Sequence, residues 1–177
     1  MPNVDAPHGF LPVRTKSGNG CITTQRFAVT AANGAMGIGD LIVIDATGLV
    51  TARAGAAAAA GTVLGVAAEP KAASSGGTML VWADDDIVFE GQTDNGTGTA
   101  TAQTVVGNNI EIVNTAPVAG ISQQELDETS AAVTATLPFK VIGRYPVVGN
   151  DFGEFNRLEV VLNKSLMKSG GDGGTGI

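Results

Sequence analysis

Residues 125–164 read ELDETSAAVTATLPFKVIGRYPVVGNDFGEFNRLEVVLNK, and this stretch decides the fold. Two runs in it, residues 139–145 and 157–162, are rich in β-branched and aromatic side chains, which pack well on a pleated surface. Between them Pro146, Gly149, Asn150, Asp151 and Gly153 supply turn chemistry. In the second run Leu158, Val160 and Leu162 share one face, opposite Arg157, Glu159 and Val161. That is the period of two expected of a strand. The stretch carries no nucleophile motif, metal cage or phosphate loop, so it specifies a surface-building β module.

The pattern continues upstream. Residues 25–30 alternate, with Phe27 and Val29 on one face and Arg26 and Ala28 on the other. Residues 41–44 and 49–53 flank Asp45-Ala46-Thr47-Gly48, which predicts a hairpin. Residues 62–67 and 79–83 are nearly continuous apolar runs, the mark of strands buried on both faces, with a Pro-, Ser- and Gly-containing loop at 70–77. Residues 87–90 and 110–113 add two more strands. Many short strands with turns between them predict a mainly β protein, a compact β-barrel or β-sandwich. The one helix signal is Ser122-Gln123-Gln124-Glu125, a capping-box pattern that predicts a turn or two of helix. The Gly/Thr-rich segment 91–104 reads as a loop or exposed hairpin.

At 177 residues the chain is one domain with extended ends, long enough to bury a core without disulfides or metals. Residues 1–24 hold Pro2, Pro7, Pro12, Gly9, Gly18 and Gly20 and read as an extended N-terminal arm. Residues 25–168 form the β-rich core, and residues 169–177 a Gly-rich C-terminal tail. The arm carries Phe10, Leu11 and Val13 without a helical period, and such knobs want a surface to lie on. Phe152 and Phe155 sit in similar Gly-containing surroundings. These five are the candidate partner-binding residues, whereas Trp82, in an apolar strand, reads as core.

Charge excludes one class of partner. The net charge is −7, and ten basic residues are scattered singly, whereas nucleic-acid affinity needs clustered Lys and Arg to displace phosphate counterions. No nucleic-acid partner is expected. No membrane partner is expected either, because residues 56–60, the longest small-residue run, are too short to span a bilayer. The first ten residues lack a basic stretch followed by an apolar one, which predicts a soluble protein made in the cytoplasm of whatever cell expresses it. Cys21 has no partner for a disulfide and reads as a small buried or half-buried residue.

Reactive constellations are sparse. His8 is the one histidine, and a surface or packing role is expected of it rather than catalysis or zinc binding. Asp84, Asp85 and Asp86 alternate faces if extended, so they read as a solvated strand junction rather than a cation site. No phosphate-binding glycine loop follows a strand. The chain therefore reads as a non-enzyme that needs no cofactor and no metal.

Three segments resemble a known family. They are residues 6–14 (APHGFLPVR), residues 81–92 (VWADDDIVFEGQ), and residues 125–127 with 131–143 (ELD and AAVTATLPFKVIG), the last followed by Asn150-Asp151-Phe152-Gly153 and the final strand to Asn163. Together they resemble the head decoration, or cement, proteins of tailed bacteriophages. The tail after Lys168 departs from that family. The resemblance implies a structural virion protein on the outer surface of an icosahedral capsid, stabilising it by bridging neighbouring major capsid protein subunits. It also implies a homo-oligomer, with a trimer on a threefold axis preferred to a dimer on a twofold. Repeated weak contacts raise avidity, and binding the assembled lattice stabilises it by linkage. Two other readings are compatible with the residues: a tail or head–tail structural component, and a surface carbohydrate-binding β-module.

Overall fold

In the computed structural model, described for residues 3–18, 20–53, 63–94, 100–163 and 165–167, the chain is almost wholly β. Eleven strands are seen among these residues: β1 (Leu11–Thr15), β2 (Gln25–Val29), β3 (Leu41–Ile44), β4 (Val50–Ala52), β5 (Val63–Ala67), β6 (Gly77–Trp82), β7 (Ile87–Gln92), β8 (Asn109–Val113), β9 (Glu125–Ala132), β10 (Phe139–Arg144) and β11 (Arg157–Leu162). Gln103–Val105 forms a single 3₁₀ turn. The expected tail, 169–177, lies outside the described residues.

The strands divide into two sheets. One closes on itself as a five-stranded barrel in the order β2-β4-β3-β5-β6. The other is open and antiparallel throughout, in the order β1-β7-β11-β10-β8-β9. The expectation of a barrel is met by the first sheet. The β3–β4 hairpin turns where predicted, with the Asp45 carboxylate accepting from the Thr47 and Leu49 amides.

The apolar runs explain how the sheets join. In β3, Leu41 and Val43 face one hydrophobic cluster while Ile42 faces another. In β5, Val63 and Val66 join the first cluster, Leu64 and Ala67 the second. Alternation breaks once, at a bulge where Ile42 pairs with Gly65 but Val43 pairs with Val63. The second cluster draws on all five barrel strands, with Val29, Ile42, Val50, Leu64, Met79 and Val81, and fills the barrel interior. The first lies between barrel and open sheet and contains Phe10, Phe89 and Phe139. Both faces of β5 are buried as its sequence predicted. The other run expected to be buried on both faces, β6, alternates instead: Met79 and Val81 are buried, Leu80 and Trp82 half-buried.

Other expectations are corrected. The N-terminal arm is part of the domain, because Leu11–Thr15 pairs with β7 as an edge strand and Phe10 is 0% exposed. An extended segment with apolar knobs has found its own core. No helix starts at Ser122. Its hydroxyl accepts the Gln124 amide, and Gln124 spends its side chain on Leu41 N–H (2.7 Å) and Asn114 Oδ1 (2.7 Å). Those tertiary bonds hold the chain extended into β9. Gln92, Thr93 and Thr101 are buried in the segment 91–104, expected to be a loop or exposed hairpin. Cys21 is exposed rather than buried.

Candidate functional site

One face of β7 packs Ile87 and Phe89 into the core, and the other carries Val88, Glu90 and Gln92. Period-two geometry therefore sets a carboxylate and an amide side by side on the outer face of the sheet. On β11 the same face carries Arg157 and Glu159, and register places Glu159 directly opposite Glu90. Like charges facing across a ladder repel, and each carboxylate has its own guanidinium. Arg14 reaches Glu159 through Nη2 at 2.7 Å, and Arg157 donates to Glu90 through Nε at 2.8 Å and through Nη2. The Arg157 guanidinium also lies 4.8 Å from the centre of the Tyr145 ring.

Over this face runs the N-terminal segment, and between them lies an open groove of about 580 Å³. Its lining includes Val4, His8, Leu11, Glu90, Gln92, Val147, Val148, Asn150, Phe155 and Arg157. His8 is the second residue bonded to Glu90, with Nε2 3.1 Å from Oε1 and Nδ1 3.0 Å from the Ala6 carbonyl. The hydrogen bond to Glu90 raises the His8 pKa above its ordinary 6.5, against burial, which lowers it. Burial pushes Glu90 up, but bonds from His8 and Arg157 outweigh it and hold the carboxyl below its ordinary range.

The polar groups of the groove serve each other. Gln92 accepts from the Ala6 amide and donates to the carbonyls of Val4 and Phe155. Asn150 donates to the carbonyls of Tyr145 and Arg157 and accepts from Asn156 Nδ2 and the Arg157 amide. All four of its hydrogen-bonding positions are used. This arrangement locks the loop between β10 and β11 and staples the N-terminal segment. It is built for rigidity, with its bonding capacity already taken.

The five predicted contact residues separate. Leu11 and Phe155 meet in the groove. Phe10 is core, its ring centre 4.5 Å from that of Phe139, so it presents no surface to a partner. Phe152 packs against the same core, with the Arg144 guanidinium 5.7 Å from its ring centre. Val13 is half-buried on β1, outside the groove lining. Trp82 is half-buried against the inter-sheet cluster. The Asp84–86 cluster is a strand junction, in which Asp84 accepts the Asp86 amide and Asp86 accepts the Ser17 hydroxyl at 2.6 Å.

Glu90, Gln92, Asn150, Asn156 and Arg157 escaped the sequence reading. One signal was available: Glu90 and Gln92 stand two apart in an otherwise apolar strand, opposite Ile87 and Phe89. Among the described residues no three His, Cys, Asp or Glu side chains come together to hold a metal ion, and no helix is long and apolar enough to cross a membrane. No protein-family model and no curated protein matches the chain.

Proposed function

We propose that the protein is a virion structural component that binds the outer surface of an assembled phage capsid and reinforces it by bridging neighbouring major capsid subunits. The observation that carries this reading is the display of apolar side chains on locked turns. Val148 is fully exposed on the loop that Asn150 fastens. Val118 and Ile121, 62% and 50% exposed, flank a two-residue turn in which Ala119 and Gly120 both have positive φ. Their backbones exchange both amide hydrogen bonds at 2.9 Å. Rigid projecting knobs lose little conformational freedom on binding, and such preorganisation favours contact. Knobs on separate loops suit a protein that touches more than one neighbour at once. The glycan-binding reading has less support, because Arg157 stacks on Tyr145 and Trp82 is half-buried.

Co-sedimentation tests the proposal. The purified chain is mixed with mature, undecorated capsids, and with unassembled capsid subunits as control. Saturable binding to the lattice alone is expected, weakened in Val148→Ser, a change on a fully exposed side chain that leaves stability within about 0.5 kcal/mol. Absence of binding to the lattice would remove the proposal.

A further inference from the structure

Residues 3–9 cross the sheet without joining its ladder. Side chains hold them instead. Asn3 Nδ2 donates to the carbonyls of Asp151 and Glu154, Gln92 grips Val4 and Ala6, and Gln123 donates to the Pro7 carbonyl at 3.3 Å. Backbone-to-backbone bonding begins at Phe10, whose amide donates to Gly39. Those carboxamides do not titrate, but two other groups that act on the segment do.

The first is His8. Both atoms facing its ring are acceptors, the Ala6 carbonyl and the Glu90 carboxylate. Both ring nitrogens must carry protons for both bonds to exist, which only the imidazolium satisfies. Loss of one proton breaks one of the two bonds and removes the positive charge. The charged groups acting with His8 are Glu90 on β7, Arg157 on β11 and Glu125 on β9.

The second is Glu125, at the start of β9. Asp94 is brought beside it because the Asp94 amide donates to the Leu126 carbonyl at 3.0 Å. One buried oxygen of each carboxylate, Glu125 Oε1 and Asp94 Oδ1, has no hydrogen-bond donor. Asp5, on the crossing segment, adds a third negative charge, and His8 is the cation acting on Glu125. Ionising Glu125 therefore sets like charges against the segment that His8 helps to hold.

We propose that residues 3–9 are a proton-controlled strap, docked over the groove when His8 and Glu125 are protonated and released when both lose their protons. The two switches act in the same direction. His8 is raised above 6.5 by its bond to Glu90, and Glu125 is pushed from 4.5 up to about 7 by burial and by Asp5 and Asp94. A group whose folded-state pKa is raised stabilises the folded form below its unfolded value and loses that contribution as pH rises through the folded value. Docking therefore weakens from mildly acidic to mildly basic pH. Glu90 acts oppositely, but its folded pKa lies below 4.5, so its contribution is lost only on further acidification. This behaviour goes beyond the capsid reading and stands without it.

Hydrogen–deuterium exchange on the full chain provides the test, with rates corrected for intrinsic pH dependence. Protection of the Ala6 amide, the one on the segment with a hydrogen-bond acceptor (Gln92), is expected to fall about tenfold or more between about pH 5.5 and about pH 8.5, in keeping with the rise of Glu125 from 4.5 to about 7. Peptides from β11 serve as the control and stay protected. Glu125→Gln with His8→Gln flattens the dependence. His8 is the sole histidine, so its ring resonances give an independent titration in the unaltered protein, with a midpoint above 6.5 expected. Protection that does not change with pH, a double variant that keeps the full change, or a His8 midpoint at or below 6.5 would each overturn the proposal.

Discussion

The barrel and the open sheet differ in how they end. A closed barrel has no edges, so its five short strands need only a small aliphatic filling, here Val, Ile, Leu, Ala and the two methionines Met36 and Met79. The open sheet has two edges and two faces to account for. One face takes the three phenylalanines and is covered by β3 and β5 of the barrel. The other is covered by paired charges, Arg14 with Glu159 and Arg157 with Glu90, and by the N-terminal segment. One edge strand, β1, carries Pro12 and a register shift, and pairs on one side alone. Among the described residues, the candidate groove lies on the outer face of the open sheet.

If β3 and β5 truly belong to both cores, the two halves cannot unfold separately. Phe139→Ala tests this with the largest expected effect. Phe139 lies 4.5 Å and 6.5 Å from the ring centres of Phe10 and Phe89. Truncation there is expected to destabilise by about 3–5 kcal/mol, with Met79→Ala in the barrel at about 2–5 kcal/mol. In both variants urea unfolding followed by Trp82 fluorescence and by far-UV circular dichroism should give coincident transitions. Separate transitions would divide the molecule into independent domains.

The buried ion pair is the polar counterpart of that shared core. Arg53, just past β4 and 2% exposed, donates through Nη2 to Glu111 of β8 at 2.8 Å, and so bridges barrel and sheet. Arg53→Met strands a buried carboxylate and is expected to cost about 3–5 kcal/mol. Adding Glu111→Leu should recover most of it, because two apolar side chains need no desolvated partner. A double variant as unstable as the single one would mean that Arg53 acts through packing and not through its charge.

The two halves were unequally legible in the sequence. Barrel strands announce themselves: LIVI and VLGVA are apolar on both faces because both faces are buried, and the Asp45-Ala46-Thr47-Gly48 turn is local chemistry. The sheet depends on pairings far apart in the chain. LPVRT of β1 carries a proline, and it becomes a strand through pairing with the distant β7, where Leu11 meets Glu90 and Thr15 meets Ile87. ELDETSAA of β9 is charged, and the local capping signal just before it loses to the bonds of Gln124 with Leu41 and Asn114. Of the candidate site, Leu11 and Phe155 were found by their setting. Asn150 and Asn156 look like ordinary turn residues; their burial, and the full bonding of the Asn150 side chain, arise from tertiary contact.

A smaller and more local perturbation separates barrel closure from sheet cohesion. Gly65 sits at the β5 bulge, where an added Cβ would lie 2.2 Å from the Trp82 carbonyl oxygen and 2.8 Å from the Ala83 Cα. Both are backbone atoms, so neither can swing aside as the end of a flexible side chain can. Gly65→Ala must push β5 from β6 where Val66 pairs with Trp82 and Ala67 with Val81. Overpacking of this kind is expected to cost about 1–3 kcal/mol. Its signature should be confined to the barrel seam: faster exchange of the Ala68 amide, which donates to Leu80 at 3.0 Å, and a shifted Trp82 emission. Amides linking β7 to β11 should keep their protection, because no strand of the outer sheet pairs in a ladder with a strand of the barrel. Equal loss of protection in both would mean that the bulge sets the geometry of the whole interface, and that the closed half holds the open one in shape.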